Sequence, residues 1–119
     1  MEYKNHTKEE VAAIAAECYR QITALTPMTV FFSWGVSKVR YTEYNGMASL
    51  VLTVNGFLHQ GLVVVALDEG SDTYIVYCLD DNLNEVAKEE DVYFDQLGNI
   101  IDRMVERDPK FYGKSNTNN

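Results

Sequence analysis

Residues 37–67, SKVRYTEYNGMASLVLTVNGFLHQGLVVVAL, contain the signals that decide the fold. Asn45-Gly46 and Asn55-Gly56 each predict a two-residue β-hairpin turn, because both central positions of a type I′ turn need positive φ. The stretches beside these turns are rich in β-branched, aliphatic and aromatic residues, which favour strands. The segment therefore predicts three consecutive antiparallel strands, over 37–44, 47–54 and 57–67.

A two-residue turn at Asn55-Gly56 also predicts the register of the second hairpin and places Leu52 opposite His59. In that register the strand 57–67 is apolar on both faces, whereas an antiparallel strand with one wet face should alternate. Two helices cover only one side of such a sheet. We therefore expect a curled sheet, a ligand or another copy of the chain to cover the second face.

Further strands are predicted on both sides of this segment. Met28–Trp34 and Thr73–Leu79 are rich in β-branched and aromatic residues, and each predicts a strand. Leu83–Ala87 is a candidate for a short edge strand. The sheet is therefore an antiparallel β-meander of five or six strands.

A helix is predicted at each end of the meander. Thr7-Lys8-Glu9-Glu10 has the pattern of a capping box and starts a helix that ends before Pro27. Asp91 or Asp95 is the predicted cap of a second helix, which ends near Arg107. The fold class is thus α+β, a two-layer sandwich with an N-terminal helix, the meander and a C-terminal helix. We expect one domain over residues 1–112 and a disordered polar tail over 113–119.

The charge of the chain is concentrated in its second half. The chain has 119 residues and a formal net charge of −8. Residues 1–67 hold equal numbers of acidic and basic side chains, whereas residues 68–108 hold thirteen acidic and three basic ones. Such a surface repels phosphate backbones, which argues against direct nucleic-acid binding. It suits a basic protein partner.

The two cysteines and the apolar runs indicate a compartment. We find no apolar leader and no run long enough to span a membrane, so we expect no membrane contact. Cys18 and Cys78 lie in apolar patterns and are expected to be reduced and buried. These observations favour a cytoplasmic protein.

Aromatic and acidic residues are the candidates for protein contacts. Tyrosine and tryptophan are favoured at interfaces, where the ring is buried and the polar tip stays wet. One sheet face needs a cover, so we expect a homodimer with these residues near the contact. The candidate interaction residues are Trp34, Tyr41, Tyr44, Tyr74, Tyr77, Glu89, Glu90 and Asp91.

These features favour a small acidic binding or regulatory protein over an enzyme. The first alternative is a small enzyme or ligand-binding protein with a pocket between a curved sheet and the helices, and its polar candidates are His59, Asp68 and Glu69. A second alternative is an acidic inhibitor that mimics the charge of nucleic acid. Spacing typical of a zinc site is missing from the cysteines and histidines, so we predict neither a metal nor a cofactor.

The Asn45-Gly46 turn yields a stability test. Gly46→Val should lower the free energy of unfolding by about 1–3 kcal/mol, because a β-branched residue is strained at positive φ. Urea denaturation measures the change. An unchanged unfolding midpoint would contradict the type I′ turn.

Overall fold

The computed structural model describes residues 6–107. Its elements are α1 (Lys8–Leu25), α2 (Met28–Ser33), β1 (Lys38–Tyr44), β2 (Met47–Asn55), β3 (Gln60–Asp68), β4 (Thr73–Leu79), β5 (Glu85–Val92) and α3 (Leu97–Val105), with a 3₁₀ turn at Phe94–Gln96. The predicted tail 113–119 lies outside the described residues. None of the helices within 6–107 has the length and hydropathy needed to cross a bilayer.

The five strands form one antiparallel sheet in the order β1-β2-β3-β4-β5. The predicted α+β fold, with helices at both ends of a meander, is therefore confirmed. The first predicted turn is confirmed as well: Asn45 and Gly46 have φ of 52° and 78°, and Tyr44 pairs with Met47 across them.

The capping box at the start of α1 is present. Thr7 Oγ1 accepts a hydrogen bond from the Glu10 N–H at 3.1 Å, and Glu10 Oε1 accepts one from the Thr7 N–H at 2.9 Å. These two bonds satisfy backbone donors that have no partner inside the helix. The face of α1 that packs on the sheet contains Val11, Ala15, Cys18 and Ile22.

The prediction of a strand over Met28–Trp34 is wrong, because Met28–Ser33 is the helix α2. Pro27 precedes it with φ of −56°, and its carbonyl accepts hydrogen bonds from the Val30 and Phe31 N–H groups. Helical geometry turns Phe31 toward Trp34, with ring centroids 5.4 Å apart. Packing of this inner face against the core thus overrides the strand propensity of the segment. The edge strand predicted over Leu83–Ala87 is present as β5, although it lies at Glu85–Val92, so the sheet has five strands.

The predicted two-residue turn at Asn55-Gly56 is also wrong. Asn55 pairs with Gln60, so the loop has four residues, and Leu52 lies opposite Val63 rather than His59. The C-terminus of α3 binds this loop through two hydrogen bonds, because the Val105 carbonyl accepts from the N–H groups of residues 58 and 59. The register moves by an even number of residues, so each side chain stays on its predicted face.

Neither predicted aspartate caps the C-terminal helix. Asp91 lies in β5 with φ of 56°, and Asp95 lies within the 3₁₀ turn. The Gln96 side chain performs the local capping role, because its Oε1 accepts a hydrogen bond from the Tyr93 N–H at 3.0 Å. A glutamine at the third position can satisfy an N-terminal donor in this way.

The sheet carries a packed cluster on each face. The helices cover one face, where α1, Trp34 and α3 bury residues from all four strands β2 to β5. The second face has its own cluster, to which no helix contributes. Its buried members are Met47, Val51, Val64, Ala66, Ile75, Tyr77 and Leu79, with Tyr44 and Leu62 packed beside them.

The close contact between α3 and the α1–α2 junction can be tested at Gly98. A Cβ at this position would lie 2.4 Å from Thr26 Oγ1. Gly98→Ala should therefore destabilise the protein through overpacking, by about 1–3 kcal/mol. Alanine favours a helix over glycine by about 1 kcal/mol, which offsets only part of this loss. Thermal unfolding measures the effect.

Thr26→Ala provides the control background, because it removes the oxygen atom that a Cβ at residue 98 would meet. Thr26 Oγ1 is buried and has no hydrogen-bond partner, so its removal should cost little. Gly98→Ala should be tolerated better in that background. An equal loss of stability in both backgrounds would contradict the steric explanation.

Candidate functional site

The face of the sheet opposite the helices is concave. β1 and β5 are its two edge strands, and about 19 Å would separate them in a flat sheet. Yet the Tyr44 hydroxyl on β1 donates a hydrogen bond of 2.5 Å to Glu85 Oε2 on β5. The Tyr44 ring also contacts that of Tyr77 on β4 edge to face, with centroids 4.8 Å apart. Strong twist and curling therefore bring opposite corners of the sheet together.

We call Tyr44, Tyr77 and Glu85 the tyrosine clasp. It covers the second cluster within a single chain, where Val51 and Val64 are only 4% and 1% exposed. Curling, one of the three covers expected from the sequence, is therefore present. Burial, followed by the hydrogen bond to Glu85, raises the pKa of Tyr44 to about 12. The phenol is therefore protonated at neutral pH and acts as a donor.

A hollow of about 370 Å³ opens beside the clasp. Residues from the β1–β2 turn and from strands β2 to β5 line it: Asn45, Met47, Asp68, Ile75, Tyr77, Lys88, Glu90 and Asp91. Its lining combines apolar side chains with three carboxylates and one ammonium. We call it the acidic hollow, since the carboxylates outnumber the cation.

Two features of the backbone position the carboxylates of the acidic hollow. Asp68 ends β3, and its Oδ1 accepts a hydrogen bond from the Gly70 N–H at 3.0 Å. Across the sheet, β5 has a bulge where Tyr74 pairs with Val92 but Val76 pairs with Glu89. Such a bulge redirects side chains, and residues 90 and 91 line the hollow together with Asp68.

Lys88 is the cation of the hollow. Its Nζ lies 2.9 Å from Glu90 Oε2 and 5.8 Å from the centroid of the Tyr77 ring. The Glu90 carboxylate raises the pKa of Lys88, so the ammonium is charged at neutral pH. This side chain shows how a cation is held here, between a carboxylate and the face of a tyrosine.

The structure brings together only part of the predicted interaction set. Tyr77, Glu90 and Asp91 line the hollow, with Tyr44 in the clasp beside it. Trp34 is fully buried on the helical side, where its Nε1–H donates to Asp102 Oδ1 at 3.0 Å. It is therefore not available to a partner.

The remaining three candidates lie apart from the hollow. Tyr74 is buried under α1 and donates a hydrogen bond to Gln21 Oε1 at 3.3 Å. Glu89 accepts a hydrogen bond from Arg103 of α3 at 3.0 Å. Tyr41 is 42% exposed on the edge strand β1.

The three residues predicted for the alternative pocket have different neighbours. His59 is in the β2–β3 loop, and its Nε2 lies 3.1 Å from the carbonyl oxygen of Leu62 on β3. Glu69 contacts His6 at 3.2 Å, and Asp68 belongs to the acidic hollow. The three side chains thus have separate surroundings.

The cysteine thiols are buried on the helical face. Burial raises the pKa of Cys18 to about 12 and that of Cys78 to about 11. Both are therefore protonated thiols at neutral pH and weak nucleophiles. Within residues 6–107, no group of three or more histidine, cysteine or acidic side chains has the geometry of a metal site.

Sequence reasoning missed Asn45 and Lys88 as lining residues of the hollow. Asn45 carried a turn signal, and Lys88 is a lone base among acids. Neither pattern indicates a shared site, because the two residues approach each other only when the sheet curls.

Searches against protein-family models, curated proteins and solved structures return no match to this chain. The chemistry of its own surface is therefore what supports a functional proposal.

The raised pKa of Tyr44 in the tyrosine clasp predicts how the stability of the protein depends on pH. The folded-state pKa of Tyr44, about 12, lies above the value of about 10 for an unfolded tyrosine. The stabilisation from this difference is complete below about pH 10 and is lost as the pH rises through the folded-state value. Glu85→Gln should lower the pKa of Tyr44, because it removes the negative acceptor.

Tyrosine-labelled NMR at ¹³Cζ measures the titration. Asp81→Asn is the control, since it removes a carboxylate from the β4–β5 turn without altering the clasp. A Tyr44 titration that is the same in Glu85→Gln and the unsubstituted protein would rule out the role of Glu85.

Proposed function

We propose that this chain is a protein-binding module that recognises a basic segment of its partner, with a lysine or arginine side chain seated in the acidic hollow. One observation carries the proposal: carboxylates from β3 and β5, distant in sequence, converge around an apolar and aromatic lining. Asp68, Glu90 and Asp91 outnumber Lys88, so the hollow has an excess of negative charge. We propose the cytoplasm as its compartment.

The hollow suits a cationic side chain for two reasons. Carboxylates form charge-assisted hydrogen bonds with ammonium and guanidinium groups, and these are stronger than neutral ones. Lys88 already lies over the buried Tyr77 ring, so a partner's cation would reach that ring by displacing Lys88. A guanidinium can stack on such a ring while it bonds to a carboxylate.

The surrounding charge favours the same class of partner. Residues 68–108 hold ten more acidic than basic side chains. Long-range attraction of this kind increases the association rate with a basic surface. Local contacts in the hollow then select where the partner binds.

Exposure of the rim favours a protruding side chain over an enclosed small molecule. Lys88, Glu90 and Asp91 are all exposed, and a ligand pocket normally buries most of its ligand. The enzyme and the nucleic-acid mimic stay predictions from the sequence, and the hollow gives the protein-binding proposal its specific support.

A model peptide tests the proposal. The probe is a fluorescein-labelled, extended peptide with arginine at alternate positions, compared with the same peptide carrying neutral citrulline. Anisotropy titrations should show binding of the arginine peptide only, with affinity that falls steeply from about 50 to 300 mM salt, because exposed charges are screened.

Matched variants separate the hollow from general charge. Asp68→Asn/Asp91→Asn should weaken binding by about tenfold or more, since two charge-assisted contacts are lost. Asparagine keeps the acceptor for Gly70 and tolerates the positive φ of residue 91. Asp81→Asn/Asp95→Asn removes the same charge outside the hollow and should have a small effect. Equal weakening by the two pairs would refute a specific site.

A further inference from the structure

The two edges of the sheet differ in how well they can accept another strand. An exposed edge presents unpaired N–H and C=O groups, and natural proteins protect it with bulges and charge. β5 carries a bulge near Asp91, a second irregularity near Val86, and positive φ at Asp91. β1 is a regular strand of seven residues with an uninterrupted ladder to β2. β1 carries charged side chains but neither a bulge nor a positive φ, so within residues 6–107 it is the less protected edge.

The hairpin determines which backbone groups of β1 point outward. Tyr44 and Met47 flank a two-residue turn, so they form a hydrogen-bonded pair, and bonding to β2 then alternates along the strand. The N–H and C=O groups of Val39, Tyr41 and Glu43 consequently point away from the sheet. Within residues 6–107 these outward groups have no backbone partner.

We propose that a second copy of this chain pairs with β1, antiparallel, about a two-fold axis at Tyr41. In this register Tyr41 faces its counterpart, and Val39 faces Glu43 of the other copy. The three outward residues of each strand then form hydrogen-bonded pairs, and the two five-stranded sheets become one continuous sheet. This interface is distinct from the acidic hollow and goes beyond the proposed function.

Side chains at the edge are compatible with this register. On the concave side, Arg40 faces Thr42 and Lys38 faces Tyr44, so no like charges are directly opposed, which would be destabilising. On the helical side, a groove of about 560 Å³ lies between the start of α1 and β1. Val11 and Ala12 give this groove an apolar wall beside Tyr41, where the second Tyr41 ring can pack.

The charge distribution selects β1 over β5 for self-association. β5 and its neighbours carry the net negative charge of residues 68–108, so two copies repel each other there. β1 belongs to the half of the chain in which acidic and basic residues are equal in number. Pairing at β1 keeps the acidic halves at opposite ends of the dimer.

A head-to-tail arrangement of β1 on β5 is the geometric alternative. It would bring Lys38 and Arg40 toward acidic residues, but the bulges of β5 leave only a short regular ladder. Such an arrangement does not close and would produce open chains. The size of the assembly distinguishes it from a two-fold dimer.

Cysteine cross-linking tests both the edge and the register. Residues that face each other in a hydrogen-bonded antiparallel pair have Cα atoms about 5.5 Å apart, within disulfide range. Under mild oxidation Tyr41→Cys should therefore form a covalent dimer on a non-reducing gel. Glu43→Cys is the matched control, because the two residues 43 lie about 13 Å apart along the paired strands, and its dimer yield should be at least tenfold lower.

The unsubstituted protein supplies an independent measurement. Sedimentation at micromolar concentration should show a dimer, and circular dichroism should confirm that both cysteine variants are folded. A monomer by sedimentation would overturn the proposal, even if one of the variants failed to fold. A dimer with equal cross-linking at both positions, or with none at residue 41, would overturn the β1 interface. Assemblies that grow with concentration would indicate the head-to-tail arrangement instead.

Discussion

The hydrogen bond between Tyr44 and Glu85 joins the two edge strands of the sheet across its concave face. Two of the three helices lie against the sheet on one side. Strands β2, β3 and β4 have buried apolar residues on both faces, so the second face must bury its own side chains. Curling achieves this by bringing the Tyr44 ring onto Tyr77. The same curl creates the acidic hollow, because it brings the β1–β2 turn toward the bulged end of β5. Fold stability and the candidate site thus depend on one deformation of the sheet.

The helical side is held by contacts between segments that are distant in sequence. Trp34 donates a hydrogen bond to Asp102 of α3, and the Val105 carbonyl accepts two bonds from the β2–β3 loop. These contacts explain why 28–33 is a helix and why the second hairpin has a longer loop. In both places local propensity favoured one structure, and burial of an aromatic side chain or a helix end favoured another. The tertiary contacts prevailed because propensities differ by only about 1 kcal/mol per residue.

Charge and regularity divide the sheet into two ends with different properties. At the β5 end, bulges and acidic side chains discourage strand addition but suit a basic partner. At the β1 end, charges balance and the backbone is regular, which favours pairing with a second copy. If both proposals hold, a dimer would present two acidic hollows. Binding to a partner with two basic segments would then gain from effective concentration rather than from new contacts.

The sequence by itself determined the antiparallel meander, the capping box at Thr7, the Asn45-Gly46 turn and the face on which each residue of β2 and β3 lies. These features depend on neighbours along the chain or on the two-residue period of a strand, so they are visible in one dimension. It also indicated residues 89–91 as acidic interaction candidates, and it indicated that the sheet face opposite the helices must be covered. Only the tertiary structure decided that Trp34 is buried, that His59, Asp68 and Glu69 lie apart, and that Asp68 and Asp91 line the same hollow. Those outcomes depend on the curl of the sheet and the docking of α3, which sum many weak contacts between distant residues and leave no periodic pattern in the chain.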